Sequence, residues 1–238
     1  MTNTTFTFKR LFIFLLSLIA PFMLFYAGCH LRRGPLSEER PYRPKIEKLV
    51  VVGFQSAMSQ WKKPDVIRNP LSGAIFMAEP IPQDVVNKMT ARLFDRILKE
   101  KRYELISPAQ ARGVYLSLVS SDLNVGEIEI FQKVGKAFSA DAVLIGYIYR
   151  WQEREGTDFA VNRPASTAFE LYLLRPDDGN ILWKGRFDKA QKSLSENLLD
   201  MGTFLKGRGR WMTVERLAEL GLEELLGKLP KSEGWEED

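Results

Sequence analysis

One cysteine and one histidine occur in 238 residues. A lone cysteine excludes an intramolecular disulfide, and one imidazole with one thiol cannot make a Cys/His zinc site. The same scarcity excludes most nucleophilic catalysis that depends on a histidine base. No fixed-period repeat is present. What remains is ordinary in bulk: 45% hydrophobic and 27% charged residues describe a globular chain, neither disordered nor many times membrane-spanning. The length suits one domain with appendages.

The N-terminus departs from that average. Lys9 and Arg10 precede an apolar run from Leu11 to Ala27, and Gly28 and Cys29 follow. A basic start, an apolar stretch and small residues before a cut site describe a secretory signal. The run has 17 residues. At full helical length it reaches about 26 Å, short of the roughly 20 residues a spanning helix needs. Pro21 interrupts it as well.

Tyr26-Ala27-Gly28-Cys29 resembles a bacterial lipobox, departing from it at Tyr26, where that family has Leu or another aliphatic residue. The resemblance implies cleavage between Gly28 and Cys29, a diacylglyceryl group on the Cys29 thiol and acylation of the new amine. Several acyl chains hold a protein to a bilayer almost permanently, whereas one short chain does not. His30 follows where related lipoproteins retained in the inner membrane carry Asp, which implies an outer-membrane, periplasmic location. An uncleaved inner-membrane anchor is the alternative, since Arg32 and Arg33 balance Lys9 and Arg10. Loss of residues 1–28 removes two of 34 basic residues and none of 30 acidic ones, leaving +2. Nucleic-acid binding gains no support from that charge.

Residues 29–45 hold Pro35, Pro41 and Pro44 among charged side chains and read as a flexible linker. One domain is expected over 46–230, with a short acidic tail over 231–238. Ile46–Phe54 is β-branched and apolar, a buried strand. Residues 55–82 carry Pro64, Pro70, Gly73, Pro80 and Pro82 and read as a long functional loop, in which Trp61, Ile75, Phe76 and Met77 either pack down or meet a partner. Apolar residues three and four apart predict a helix over 83–102. A short strand over 103–106, a helix from Ser107-Pro108 to about Val119 and another over 127–139 follow. Ala140–Trp151 is the second strong strand, with Tyr147, Tyr149 and Trp151 alternating onto one face. Residues 152–164 read as a charged loop. Strands over 167–174 and 181–187 flank Pro176-Asp177-Asp178-Gly179-Asn180, a turn sequence that predicts a hairpin. Helices are expected over 189–205 and 213–229.

The fold class is therefore α/β or α+β: a mixed sheet of four to five strands with a C-terminal β-hairpin, flanked by helices. The lipobox, the VVVGF strand, the DAVLIGYIYRW strand and the FELYLL–PDDG–ILWKGRF hairpin are together similar to a group of bacterial envelope lipoproteins and related domains. That group holds the curli-secretion lipoproteins, the lipoprotein activators of penicillin-binding proteins and the amino-terminal domain of TolB. The resemblance covers about residues 46–200 and implies a module for protein contacts or assembly, not an enzyme.

No pattern demands catalysis, a cofactor or a metal. Arg208 and Arg210 in GRGRW suit an anion, or a solvated loop anchored by Trp211. Asp177 and Asp178 lack the spaced oxygens of a calcium loop. Glu127, Glu129, Glu153 and Glu155 permit a carboxylate hydrolase only if two face each other across a cleft. The expectation is an accessory protein acting through contacts with an envelope protein or with itself, using Trp61, Tyr149, Trp151, Arg208, Arg210 and Trp211. A ligand-binding module and a carboxylate hydrolase are the alternatives.

Overall fold

The computed structural model describes residues 45–58, 62–121, 125–157, 161–191 and 211–230. Gly28, Cys29, Trp61, Arg208, Arg210 and the acidic tail lie outside the described residues. In chain order the elements are β1 (Lys48–Ser56), β2 (Asp65–Arg68), β3 (Ile75–Ala78), α1 (Gln83–Glu100), β4 (Glu104–Ile106) and α2 (Pro108–Ser121). There follow α3 (Glu127–Ala137), β5 (Ala142–Gln152), β6 (Glu155–Gly156), β7 (Val161–Arg163), β8 (Ser166–Leu174), β9 (Ile181–Ala190) and α4 (Val214–Leu226).

Five strands form one mixed sheet in the order β4-β1-β5-β8-β9. β1 lies parallel to β4 and β5, while β8 and β9 run antiparallel in succession. The α+β class and the C-terminal hairpin are as the sequence predicts. The turn works by the expected chemistry: Asp178 accepts from Arg175 Nε at 2.9 Å and from the Asn180 amide at 3.0 Å. Gly179 takes the positive φ of 74°.

Both faces of the sheet are covered. On one side α1 and α4 pack Val86, Met89, Leu93, Ile97, Leu217 and Leu222 onto Leu49, Leu144 and Phe169. On the other, α2, α3 and the β2–β3 hairpin cover Val50, Val143, Ile145 and Tyr172. Each buried aliphatic side chain contributes about 1.5–3 kcal/mol. The surface ion pairs joining α1 to α4, Arg92–Glu219 at 3.6 Å and Arg96–Glu223 at 3.8 Å, contribute at most about 1 kcal/mol each. Apolar burial therefore sets how these helices sit.

Three expectations change. Residues 55–82 contain an antiparallel hairpin, with Val66 opposite Met77 and Arg68 opposite Ile75. Residues 152–164 contain a shorter one, β6 with β7. Lys189 and Ala190, expected to open a helix, instead extend β9 opposite Thr167 and Ser166, and the rest of that predicted helix lies outside the described residues from 192 on. Helical spacing of the tail's apolar residues does not weigh against a strand that already has a neighbour to pair with.

Candidate functional site

Each strand of the β2–β3 hairpin has only four residues, too few to stand alone in water. Its loop is built by Asn69. The Asn69 side-chain oxygen accepts from the Leu71 and Ser72 amides at 2.8 and 2.9 Å, and the Asn69 backbone N–H donates to the Ala74 carbonyl at 2.8 Å. Gly73 closes the loop with φ of 67°.

A buried polar cluster ties this loop to the sheet. Glu170, in the middle of β8, is 1% exposed. Tyr149 donates to its carboxylate at 3.0 Å, and Tyr172 donates to the same oxygen. Asn69 Nδ2 donates to the Tyr149 hydroxyl, and the Ser72 and Tyr172 hydroxyls pair at 2.8 Å. Burial, then the neighbouring Glu170 charge, pushes the Tyr149 hydroxyl far above the usual tyrosine range. Burial also raises Tyr172, helped by its bond to Glu170. Both phenols therefore stay protonated donors. Phe76 stacks on the Tyr149 ring with centroids 3.8 Å apart, and the Arg186 guanidinium lies 4.4 Å over the Phe76 ring. Glu79 completes the attachment by accepting from the Trp151 amide at 2.6 Å and from Gln152 Nε2 at 2.9 Å.

Side chains alternate across a strand. With Phe76 and Ala78 turned inward, Val66, Ile75 and Met77 turn outward and are 55%, 59% and 61% exposed. Arg68 shares that face and donates to the Gly73 carbonyl at 3.3 Å. The hairpin thus holds an apolar outer face on a rigid base. Lys62 and Lys63 precede it, both exposed.

The predicted interaction residues fare differently. Tyr149 is fully buried, so it contacts no partner, and its hydroxyl serves the hairpin. The single face expected for Tyr147, Tyr149 and Trp151 is broken by a bulge: the register with β8 shifts between Ile148 and Arg150. One extra residue turns the following side chains over. Trp151 consequently packs, partly buried, with the α1/α4 core, while Tyr147 and Tyr149 lie on the α2/α3 side. Trp211 is also half-buried, and its carbonyl accepts from Arg154 at 2.6 Å. Of the sequence candidates in 55–82, Phe76 packs down, and Ile75 and Met77 face out. Val66 was missed, and only its place opposite Met77 could have revealed it.

The carboxylates do not pair across a cleft. Glu127 accepts from the Tyr147 hydroxyl, Glu129 pairs with Lys133 at 2.8 Å, Glu155 pairs with Arg163, and Glu153 accepts from the Val214 amide at the start of α4 at 3.3 Å. Burial raises the Glu127 carboxyl above the usual range, although the Tyr147 bond works the other way. Among the described residues no three His, Cys, Asp or Glu side chains gather as a metal site, and no helix is long and apolar enough to cross a membrane.

A concave feature lies at the C-terminal end of β1. There a cleft of about 1100 Å³ opens between α1 and α2, with Phe54 to Met58 along its floor. It sits where the chain passes from β4 on one side of β1 to β5 on the other, the place where open α/β sheets form crevices.

No family model matches the chain, and no curated protein sequence does. Solved structures do. The C-terminal domain of LpoB from Salmonella enterica is 15% identical with a TM-score of 0.36, the match covering 64% of this chain and 87% of that one. Lipoprotein GNA1162 from Neisseria meningitidis is 18% identical with a TM-score of 0.38, covering 68% and 91%. The hypothetical protein CT253 from Chlamydia trachomatis is 11% identical with a TM-score of 0.41, covering 77% and 95%. These similar structures include a lipoprotein, in keeping with the resemblance of the sequence. With TM-scores no higher than 0.41 among these three, the functional reading rests on the residues described above.

Proposed function

We propose that this chain is a lipid-anchored protein of the bacterial cell envelope whose folded part, residues 46–230, binds another envelope protein through the outer face of the β2–β3 hairpin. The observation that carries the reading is the exposure of Val66, Ile75 and Met77 on one face of a hairpin that a buried network holds in place. Contiguous exposed apolar side chains on a rigid support favour protein contact, because little ordering entropy is lost on docking. The lipobox supports attachment at Cys29, after cleavage between Gly28 and Cys29, on the periplasmic side of the outer membrane. The 17 residues of 29–45 would let the domain stand up to about 55 Å from the bilayer when extended.

Two substitutions test the two halves separately. Cys29→Ser is expected to leave an unprocessed precursor, seen as a heavier band, and to change membrane fractionation. Met77→Asp is expected to leave the melting temperature unchanged within about 1 °C, since the side chain faces water. It should nonetheless abolish co-purification of the partner with the lipidated chain. Normal processing of the serine variant would refute the anchor. Undiminished co-purification by Met77→Asp and by Ile75→Asp would refute the docking face.

A further inference from the structure

β1 has nine residues and its neighbour β4 only three. Their pairing runs from Lys48 with Glu104 to Val50 with Ile106 and stops there. The chain leaves β4 at once because Ser107 caps α2. Gln110 accepts from the Ser107 amide at 3.0 Å, and the Ser107 hydroxyl stands 3.4 Å from the Gln110 amide, the two halves of a capping box. From Val51 onward β1 is paired on its β5 side alone among the described residues. The cleft between α1 and α2 occupies the position that a longer β4 would fill.

The strand edge that floors this cleft carries usable backbone groups. The Ala57 amide donates to the Ile148 carbonyl of β5 at 3.0 Å. Alternation then turns Ser56 and Phe54 the other way, into the cleft. The Phe54 amide is already satisfied there by Thr90 Oγ1 at 2.9 Å. The Phe54 carbonyl and the Ser56 amide and carbonyl remain directed at the open space, spaced as one side of a β-ladder. The cleft walls differ: α1 presents Val86, Phe94 and Asp95, and α2 presents Arg112, Tyr115 and Leu116. Neither Asp95 nor Arg112 has an ion-pair partner among the described residues.

We infer that this cleft accepts an extended peptide segment of a partner protein as an added strand, lying against β1 in line with β4 and hydrogen-bonded to Ser56 and the Phe54 carbonyl. Main-chain bonds to an open edge give such complexes affinity, and alternate side chains give them specificity. An inserted strand directs successive side chains to α1 and to α2 in turn. It therefore favours apolar residues, with a base facing Asp95 and an acid facing Arg112 at positions of opposite parity. The site is separate from the hairpin, since no residue of β2 or β3 lines it.

Selection of phage-displayed random heptapeptides on the full lipidated chain in detergent micelles tests the inference. Alternating apolar sequences carrying one acid and one base at opposite parity should be enriched. A synthetic peptide of that kind should slow hydrogen exchange of the Ser56 amide. Arg112→Glu, an exposed change expected to leave the melting temperature intact, should weaken the peptide at least about tenfold, and exchanging the peptide's acid for Lys should restore it. Absence of enrichment over the carrier overturns the inference. So does a selected peptide that binds equally after Arg112→Glu, or one that protects the hairpin and leaves Ser56 exchanging freely.

Discussion

Gly53 is the residue on which strand, helix and cleft converge. It sits at the register shift in β1 with φ of 89°, and a Cβ there would lie 2.3 Å from Thr90 Cγ2 of α1. Gly53→Ala is therefore both conformationally strained and sterically blocked, and it should cost about 2–4 kcal/mol, read as a fall in the denaturation midpoint. Glu127 behaves differently, because its folded-state pKa is raised above the ordinary 4.5 by burial. Its ionised form is disfavoured in the folded chain, so the protonated form's stability is full below the unfolded pKa and is lost as pH rises through the folded value. Glu127→Gln, which keeps an acceptor for the Tyr147 hydroxyl, should melt higher than the parent at pH 7–8. That gap should close as pH falls through the raised pKa and vanish below about 4.5. A constant gap from pH 4 to 8 would show that desolvation of the charge is not its cause.

At the scale of elements, the hairpin depends on partners distant in sequence. Tyr149→Phe removes one donor from buried Glu170 and leaves Asn69 Nδ2 without its acceptor, a loss of about 1–3 kcal/mol. Amide exchange over residues 69–78 should quicken more than that over α1, which packs on the opposite face. Uniform acceleration would mean that the network does not serve the hairpin in particular. The same dependence explains what could be read in the sequence. β1, β5 and β8 are legible because strands buried on both faces are written as unbroken apolar runs. The turn at 176–180 is legible because its residues act on one another. β2 and β3 are short and set among prolines, and the loop that joins them is held by Tyr149 and Tyr172, 80 and 100 residues downstream of their partners. The bulge at Tyr149 leaves no mark in composition, yet it moves Trp151 to the other face. The cleft was invisible because it comes from the early end of β4, a pairing length that no periodicity encodes.

At the scale of the molecule, the proposed function joins a lipid at Cys29, a linker and a domain with an apolar hairpin face into a tethered binder. Tethering raises the local concentration of the domain near the membrane, so a modest contact suffices for occupancy there. Loss of the tether and loss of the hairpin face should therefore both empty the complex, by different routes. The most direct test places a photo-activated cross-linking residue at Met77 in living cells, with Leu98, also exposed but on α1, as control. One discrete adduct is expected from position 77, none from position 98, and the adduct should be lost in the Cys29→Ser background. Equal adducts from both positions, or an adduct indifferent to Cys29, would contradict the proposed function.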